Sequence, residues 1–214
     1  MTKKQPDYQD LMFFPQYLEN LLNWDLWIDK AETLLAAAGA LEPHIRSYWD
    51  IVASDAKEGR YSEGGKPPHK LPAYLQAIYS MLIAYALENL FKAMIIGEQQ
   101  DTFRTHIMNE GGKLPGKIKS HDLIRLAKEA HFKFNASDEH LLARLHRNSE
   151  WAGRYPVPVS SSGLKNIKVF TTDGKPHLTA FLSPNDIDLL SDLVHRVKTH
   201  IRPTLNSSKR IIYQ

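Results

Sequence analysis

The succession of apolar and polar positions along the chain predicts helices almost throughout. From Pro15 to Ala38, residues Tyr17, Leu18, Leu21, Leu22, Trp24, Leu26, Trp27, Ile28, Leu34 and Leu35 recur at helical rather than alternating spacing. Gly39 punctuates this stretch, and Pro43 is placed to open a second helix running to about Lys57, with Ile45, Tyr48, Trp49 and Val52 on one side. Residues 59–71 (GRYSEGGKPPHKL) mix glycine, proline and charge and read as a loop. Pro72 opens a long helix that is apolar almost all round from Tyr74 to Met94, and such a helix belongs at the centre of a fold. Glu88 and Lys92 stand four apart on it and are expected as a weak surface ion pair worth about 0.3–0.5 kcal/mol.

Residues 98–119 are polar and hold Gly111-Gly112, Pro115-Gly116, Lys113, Lys117 and Lys119, which predicts a basic loop with a short helix near Phe103 to Met108. Ser120 is the expected N-cap of a helix from His121 to Phe132, with Asp122 in its first turn. Ser137 or Asp138 starts the next helix, where Leu141, Leu142 and Leu145 form the apolar stripe and Arg144 and Arg147 turn away from it. Gly153 and Pro156 end it. Beyond them, Asn166 to Thr171 and His177 to Leu182 flank Asp173-Gly174, the pattern of a β-hairpin. A last helix follows Ser183-Pro184 and carries Ile187, Leu189, Leu190, Leu193, Val194 and Val197; Pro203 is expected to stop it, leaving a basic tail. The expectation is a mainly α protein: an N-terminal helical extension (residues 1–58), a loop (59–71), an antiparallel helical bundle (72–202) with a hairpin at 166–182, and a tail (203–214).

Composition narrows the chemistry. Cysteine is absent, which excludes disulfides, thiolate metal sites and a cysteine nucleophile, and points to a cytoplasmic location. The stretch from Leu71 to Gly97 is long enough to span a bilayer, yet Gln76, Glu88, Asn89 and Lys92 interrupt it, so a buried helix is expected and no membrane partner. The net charge of +3 is unevenly spread: residues 1–110 hold 10 Lys+Arg against 15 Asp+Glu, residues 111–214 hold 17 against 9. A basic second half suits an anionic ligand such as nucleic acid, or matches the acidic half within the molecule. Trp24, Trp27 and Trp49 lack basic interleaving and are expected in packing rather than as a stacking platform.

His121-Asp122 invites comparison with a metal-binding His-Asp pair, for which His106 and Asp138 would be further candidates, but adjacent helical residues point about 100° apart and no metal or cofactor is expected. No phosphate-binding glycine loop, GxSxG or HExxH motif is present. The residues 141–156 (LLARLHRNSEWAGRYP) instead gather Arg147, Asn148, Trp151, Arg154, Tyr155 and His146 at a helix end, where guanidinium groups can hold phosphate and aromatic rings can stack on bases.

Leu87-Glu88-Asn89-Leu90-Phe91-Lys92-Ala93, then Ser120-His121-Asp122-Leu123-Ile124-Arg125-Leu126, then a leucine-spaced helix running into Arg147-Asn148 and on to Arg154-Tyr155-Pro156, resemble in order and spacing the HEPN superfamily over roughly residues 72–200. The resemblance implies an all-α bundle, commonly a homodimer, in a superfamily with many metal-independent ribonucleases of defence and toxin systems. Its active members place a histidine four to six residues after an arginine. Here Arg147-Asn148 matches the start of that motif and Gly153 a glycine after it, but Ala152 occupies the histidine position. Alanine can neither accept nor donate a proton, so the resemblance implies binding of RNA or a nucleotide through Arg147, Asn148, Trp151, Arg154, Tyr155 and His146 without catalysis. The alternatives are a metal-independent ribonuclease in which His146 or His140 transfers the proton, and a protein–protein interaction module using the aromatic N-terminal helices.

Overall fold

The structure is a computed structural model that describes the backbone of residues 8–152, 167–170, 176–179 and 183–212, and the side chains of residues 13–150 and 183–201. It is mainly helical. In chain order the helices are α1 (Tyr8–Leu22), α2 (Trp24–Lys57), α3 (Gln76–Asn109), α4 (Gly116–Lys119), α5 (Leu123–Glu129), α6 (Ala136–Arg147), a π-turn (Asn148–Ala152) and α7 (Asp186–Ile212). Two short segments, β1 (Ile167–Phe170) and β2 (Pro176–Thr179), pair antiparallel with Ile167 opposite Thr179. The Asp173-Gly174 turn expected between them lies outside the described residues, as do Gly153 and Pro156.

α3 forms the centre because almost every side of it is apolar. Ile83, Leu87, Leu90, Phe91, Met94, Ile95 and Ile96 are buried, and α2, α7, α5, α6, α1 and the π-turn all pack directly on it. Among the described residues α3 is the one helix long and apolar enough to cross a membrane, and most of that stretch is buried within the fold. α2 and α3 have 34 residues each, so at 1.5 Å per residue they form a pair of rods roughly 50 Å long. Leu18, Leu21, Leu22, Ala31, Ala38 and Ile45 belong to the same core as α3, so the N-terminal helices are built into the bundle.

Several helix ends differ from those the pattern predicts. The break in the first helical region falls at Asn23, whose side chain caps α2 by accepting from the Asp25 amide, and α2 then runs unbroken through Gly39 and Pro43. Both residues face solvent, and the carbonyl four residues before the proline ring is that of Gly39, which has no side chain to restrain local adjustment. α1 likewise contains Pro15 and begins earlier, at Tyr8. α3 starts at Gln76 rather than Pro72, and it continues past Gly97 through a kink at Gln99 (φ −124°, ψ 24°), absorbing the short helix expected near Phe103. α7 runs past Pro203 to Ile212. A proline removes one N–H and bends a helix; it ends one only where packing does not carry the chain onward.

Capping also differs in detail. Asp122, not Ser120, caps α5 by accepting from the Arg125 amide, while Ser120 Oγ accepts from the Asp122 amide. Asn135 caps α6 in a reciprocal capping box: its side chain accepts from the Asp138 amide, and Asp138 accepts from the Asn135 amide. Asp138 also takes two hydrogen bonds from Arg196 of α7. Burial works against its charged form, but Arg196 and the Asn135 amide outweigh that and hold the carboxyl below its ordinary range.

The loop after α2 is tied rather than loose. Asp55, fully buried near the end of α2, accepts from the His69 amide and from His69 Nδ1 and lies 3.1 Å from Arg60 Nε. Arg60 in turn donates to the Pro67 carbonyl. Residues 60–69 are thereby drawn back onto one carboxylate, which burial alone would push towards protonation but which His69 and Arg60 keep below its ordinary range.

Candidate functional site

The residues singled out at the end of α6 separate into distinct roles. Arg144, expected on the outer side, is buried: its guanidinium donates to both carboxylate oxygens of Asp186 at 2.8 and 2.9 Å, with side-chain exposures of 6% and 4%. Asp186 opens α7, 42 residues further on, and also accepts from the Ser183 amide. The network continues from the Ser183 carbonyl to Gln76 of α3 and from Gln76 to the Trp49 indole of α2. Four helices thus meet through one run of polar groups, which locates the end of α6 against α3 and α7.

Asn148, also expected among the ligand-binding residues, is buried and donates from Nδ2 to the Arg144 carbonyl. It stabilises the helix end rather than facing solvent. Ser149 donates to the His146 carbonyl, and its own carbonyl accepts from Tyr85 of α3, so the start of the π-turn is tied both to α6 and to α3. Arg147, the last residue of α6, is half-buried, as is His146. The backbone of Trp151 lies in the π-turn; its side chain, with Arg154 and Tyr155, lies outside the described residues.

Beside this helix end the structure places residues to which the sequence pattern assigned no binding role. Glu88 and Lys92 are not a surface pair: Lys92 Nζ lies 2.6 Å from Glu88 Oε1, and their side chains are 6% and 10% exposed respectively. Lys92 Nζ also sits 5.8 Å from the centre of the Trp27 ring. Above Glu88 stands His121, in the turn before α5, with Nδ1 3.0 and 3.2 Å from the two carboxylate oxygens and a side chain 71% exposed. His146 closes the group, its Nδ1 donating to the His121 carbonyl at 3.1 Å and its Nε2 lying 3.4 Å from Glu150. Helix α3 supplies the buried acid and base, the turn before α5 supplies one imidazole, and the last turn of α6 supplies the other.

His121 and Asp122 do different work, since Asp122 is occupied in capping α5. His106 is exposed near the far end of α3, and Asp138 is committed to the α6 cap and Arg196, so neither joins His121. Among the described residues no three His, Asp or Glu side chains are gathered to hold a metal ion. The sequence did carry a signal for the buried cluster: two charges inside a helix that is apolar on every side must either be paired under cover or break the packing. No protein-family model matches the chain, and neither a curated protein nor a solved structure is similar to it.

Proposed function

We propose that the chain is a HEPN-like helical protein that binds RNA, or another phosphate-bearing ligand, where the end of α6 meets the turn before α5. One observation carries the reading: His121 and His146 meet at the surface over Glu88, whose charge is already matched from below by Lys92. The acid beneath the junction is therefore already matched and does not stand against an anion held by the cations around it. Lys113, Lys119 and Arg125 are exposed on the segment that leads through this turn, and Arg147 extends the donors along α6. Arginine suits this role because its fork of N–H groups matches two phosphate oxygens. Trp151, Arg154 and Tyr155 enter the proposal from the sequence pattern of residues 141–156 and from the HEPN resemblance.

Binding of a fluorescent single-stranded RNA, followed by anisotropy across a salt series, tests the reading. Wild type is expected to bind with a negative log–log salt slope. Replacing Arg147→Ala together with Arg154→Ala is expected to weaken binding and reduce the slope by about 1.4, the value for two lost phosphate contacts on a single strand. Unchanged affinity and slope in the double variant would refute the proposal.

A further inference from the structure

The break between α1 and α2 and the kink in α3 lie side by side and leave a recess of about 360 Å³ between them. Gln16, Glu19 and Asn20 of α1, Asn23 and Trp24 at the break, and Gln100 of α3 line it. The recess exists because both helices depart from regularity at the same level. Leu22 ends α1 with a carbonyl that has no helical partner, and Gln100 Nε2 donates to it at 3.3 Å, one residue beyond the bend at Gln99. Trp24 is half-buried and packs against the hydrophobic core, so its indole is a fixed wall.

We infer that this recess binds an uncharged, hydroxyl-rich ligand, a mono- or disaccharide, apart from the proposed phosphate-binding surface. Gln100 lies roughly 18 Å along α3 from Glu88, at 1.5 Å per residue. Charge excludes other ligand classes. Among the described residues no lysine or arginine lines the recess, and the exposed charges next to Trp24 and Gln100, Asp25 and Asp101, are acidic, so phosphate finds no partner. Glu19, the charged group in the lining, is engaged by Arg104 at 2.8 Å, so no unmatched carboxylate attracts a cation.

What remains is a set of primary amides whose orientation follows from their partners. The Leu22 carbonyl can only accept, so Gln100 turns Nε2 to it and keeps Oε1 as an acceptor. The Asp25 amide can only donate, so Asn23 turns Oδ1 to it and keeps its NH₂ group. Gln16 and Asn20, one turn apart, bond to each other at 2.8 Å; whichever of them donates, one carbonyl and one NH₂ group are left over. None of these spare groups has a further partner among the described residues, and they include donors and acceptors alike. A hydroxyl donates and accepts at once, so a sugar's rim of hydroxyls meets such a set while its C–H face lies against the indole. A nucleobase carries its polar atoms in one plane and gains most from stacking, whereas these amides come from separate helices with one aromatic side chain among them. The volume falls in the lower part of the range for small-molecule sites, roughly 300–1,000 Å³.

The test uses the full chain and a panel of neutral mono- and disaccharides at millimolar concentration. Saturation-transfer NMR reads binding, and the indole N–H signals of isotope-labelled protein locate it, with Trp24→Phe identifying the Trp24 signal. At least one sugar is expected to show saturation transfer and to move the Trp24 signal, while that of Trp49, whose indole is bonded to Gln76, stays in place. Asn20→Ala combined with Asn23→Ser removes two of the amides yet retains a capping hydroxyl for α2, and should weaken that sugar about tenfold. Should the double variant unfold, Asn20→Ala at its exposed position decides alone, with a loss of about threefold. No saturation transfer from any sugar of the panel, or unchanged affinity in the folded variant, overturns the inference. A shift of the Trp24 signal by inorganic phosphate, or by uridine or adenosine in preference to every sugar, overturns it as well. The RNA titration of the Arg147→Ala, Arg154→Ala variant is read separately and is touched by none of these outcomes.

Discussion

The buried pair between Arg144 and Asp186 gives the most demanding test of how the bundle is held together. Replacing Arg144→Met keeps much of the stem volume and removes the guanidinium, leaving Asp186 inside the protein with, among the described residues, only the Ser183 amide donating to it. Loss of one partner of a buried ion pair costs about 3–5 kcal/mol, because the remaining charge is stranded away from water. In a chain of this size each kcal/mol moves the melting temperature by about 2–4 °C, so the expected drop is roughly 6–20 °C. Arg46 is the control: it pairs with Glu42 and Asp188, but its side chain is 45% exposed, and Arg46→Met is expected to cost less than about 1 kcal/mol. Urea denaturation at pH 7, followed by far-ultraviolet circular dichroism, measures both variants. The double variant Arg144→Met, Asp186→Asn should cost less than the sum of its single changes, since the stranded charge is gone. If Arg144→Met proves no more destabilising than Arg46→Met, the assignment of this pair as a structural lock is refuted.

Three further outcomes follow from named features. Asp55 and Asp138 have folded-state values below their ordinary 3.8, so the stability they confer is fully present above that pH and is lost as pH falls through the folded values. Asp55→Asn should therefore flatten the dependence of unfolding free energy on pH below about 4, measured by urea denaturation from pH 5 to pH 2; an unchanged acid limb would contradict this. His131 has a φ of 52°, in the left-handed region after α5, and its side chain, 75% exposed, approaches Glu98 at 3.9 Å. His131→Gly should raise stability by roughly 0.5–1 kcal/mol in the same assay, and a loss would show that the side chain does more than accept strain. Pro43 lies on the solvent side of α2, where Pro43→Ala restores a backbone donor; a gain of about 1–3 kcal/mol in thermal or chemical unfolding is expected, and no gain would mean the helix bends there without cost.

The central place of α3 was readable from its unbroken apolar girth, and the run of helices from their periodicity. Local punctuation is the weaker signal: Pro43, Pro72 and Pro203 read as boundaries in the sequence, but helix ends are set by which backbone groups find partners, and long-range packing decides that. The two arginines of α6 show the same limit at the site. Arg144 and Arg147 are three residues apart and look alike in sequence, yet only Arg144 meets Asp186, brought in from 42 residues away. His121 likewise gains its meaning from Glu88, 33 residues earlier, and the spacing of Glu88 and Lys92 is the same whether a pair is covered or bare. Residue types announced the chemistry; the partners that orient it are separated in sequence and emerge only on folding.

The fusion of α1 and α2 with the central core has a practical consequence for dissecting the protein. A fragment beginning after residue 58 would lay bare the flank of α3 that α2 covers, an oily strip some tens of ångströms long, and would lose the carboxylate that gathers the 60–69 turn. Such a fragment should precipitate or self-associate whatever its biological partners are, so any mapping of function by truncation has to begin from the other end of the chain.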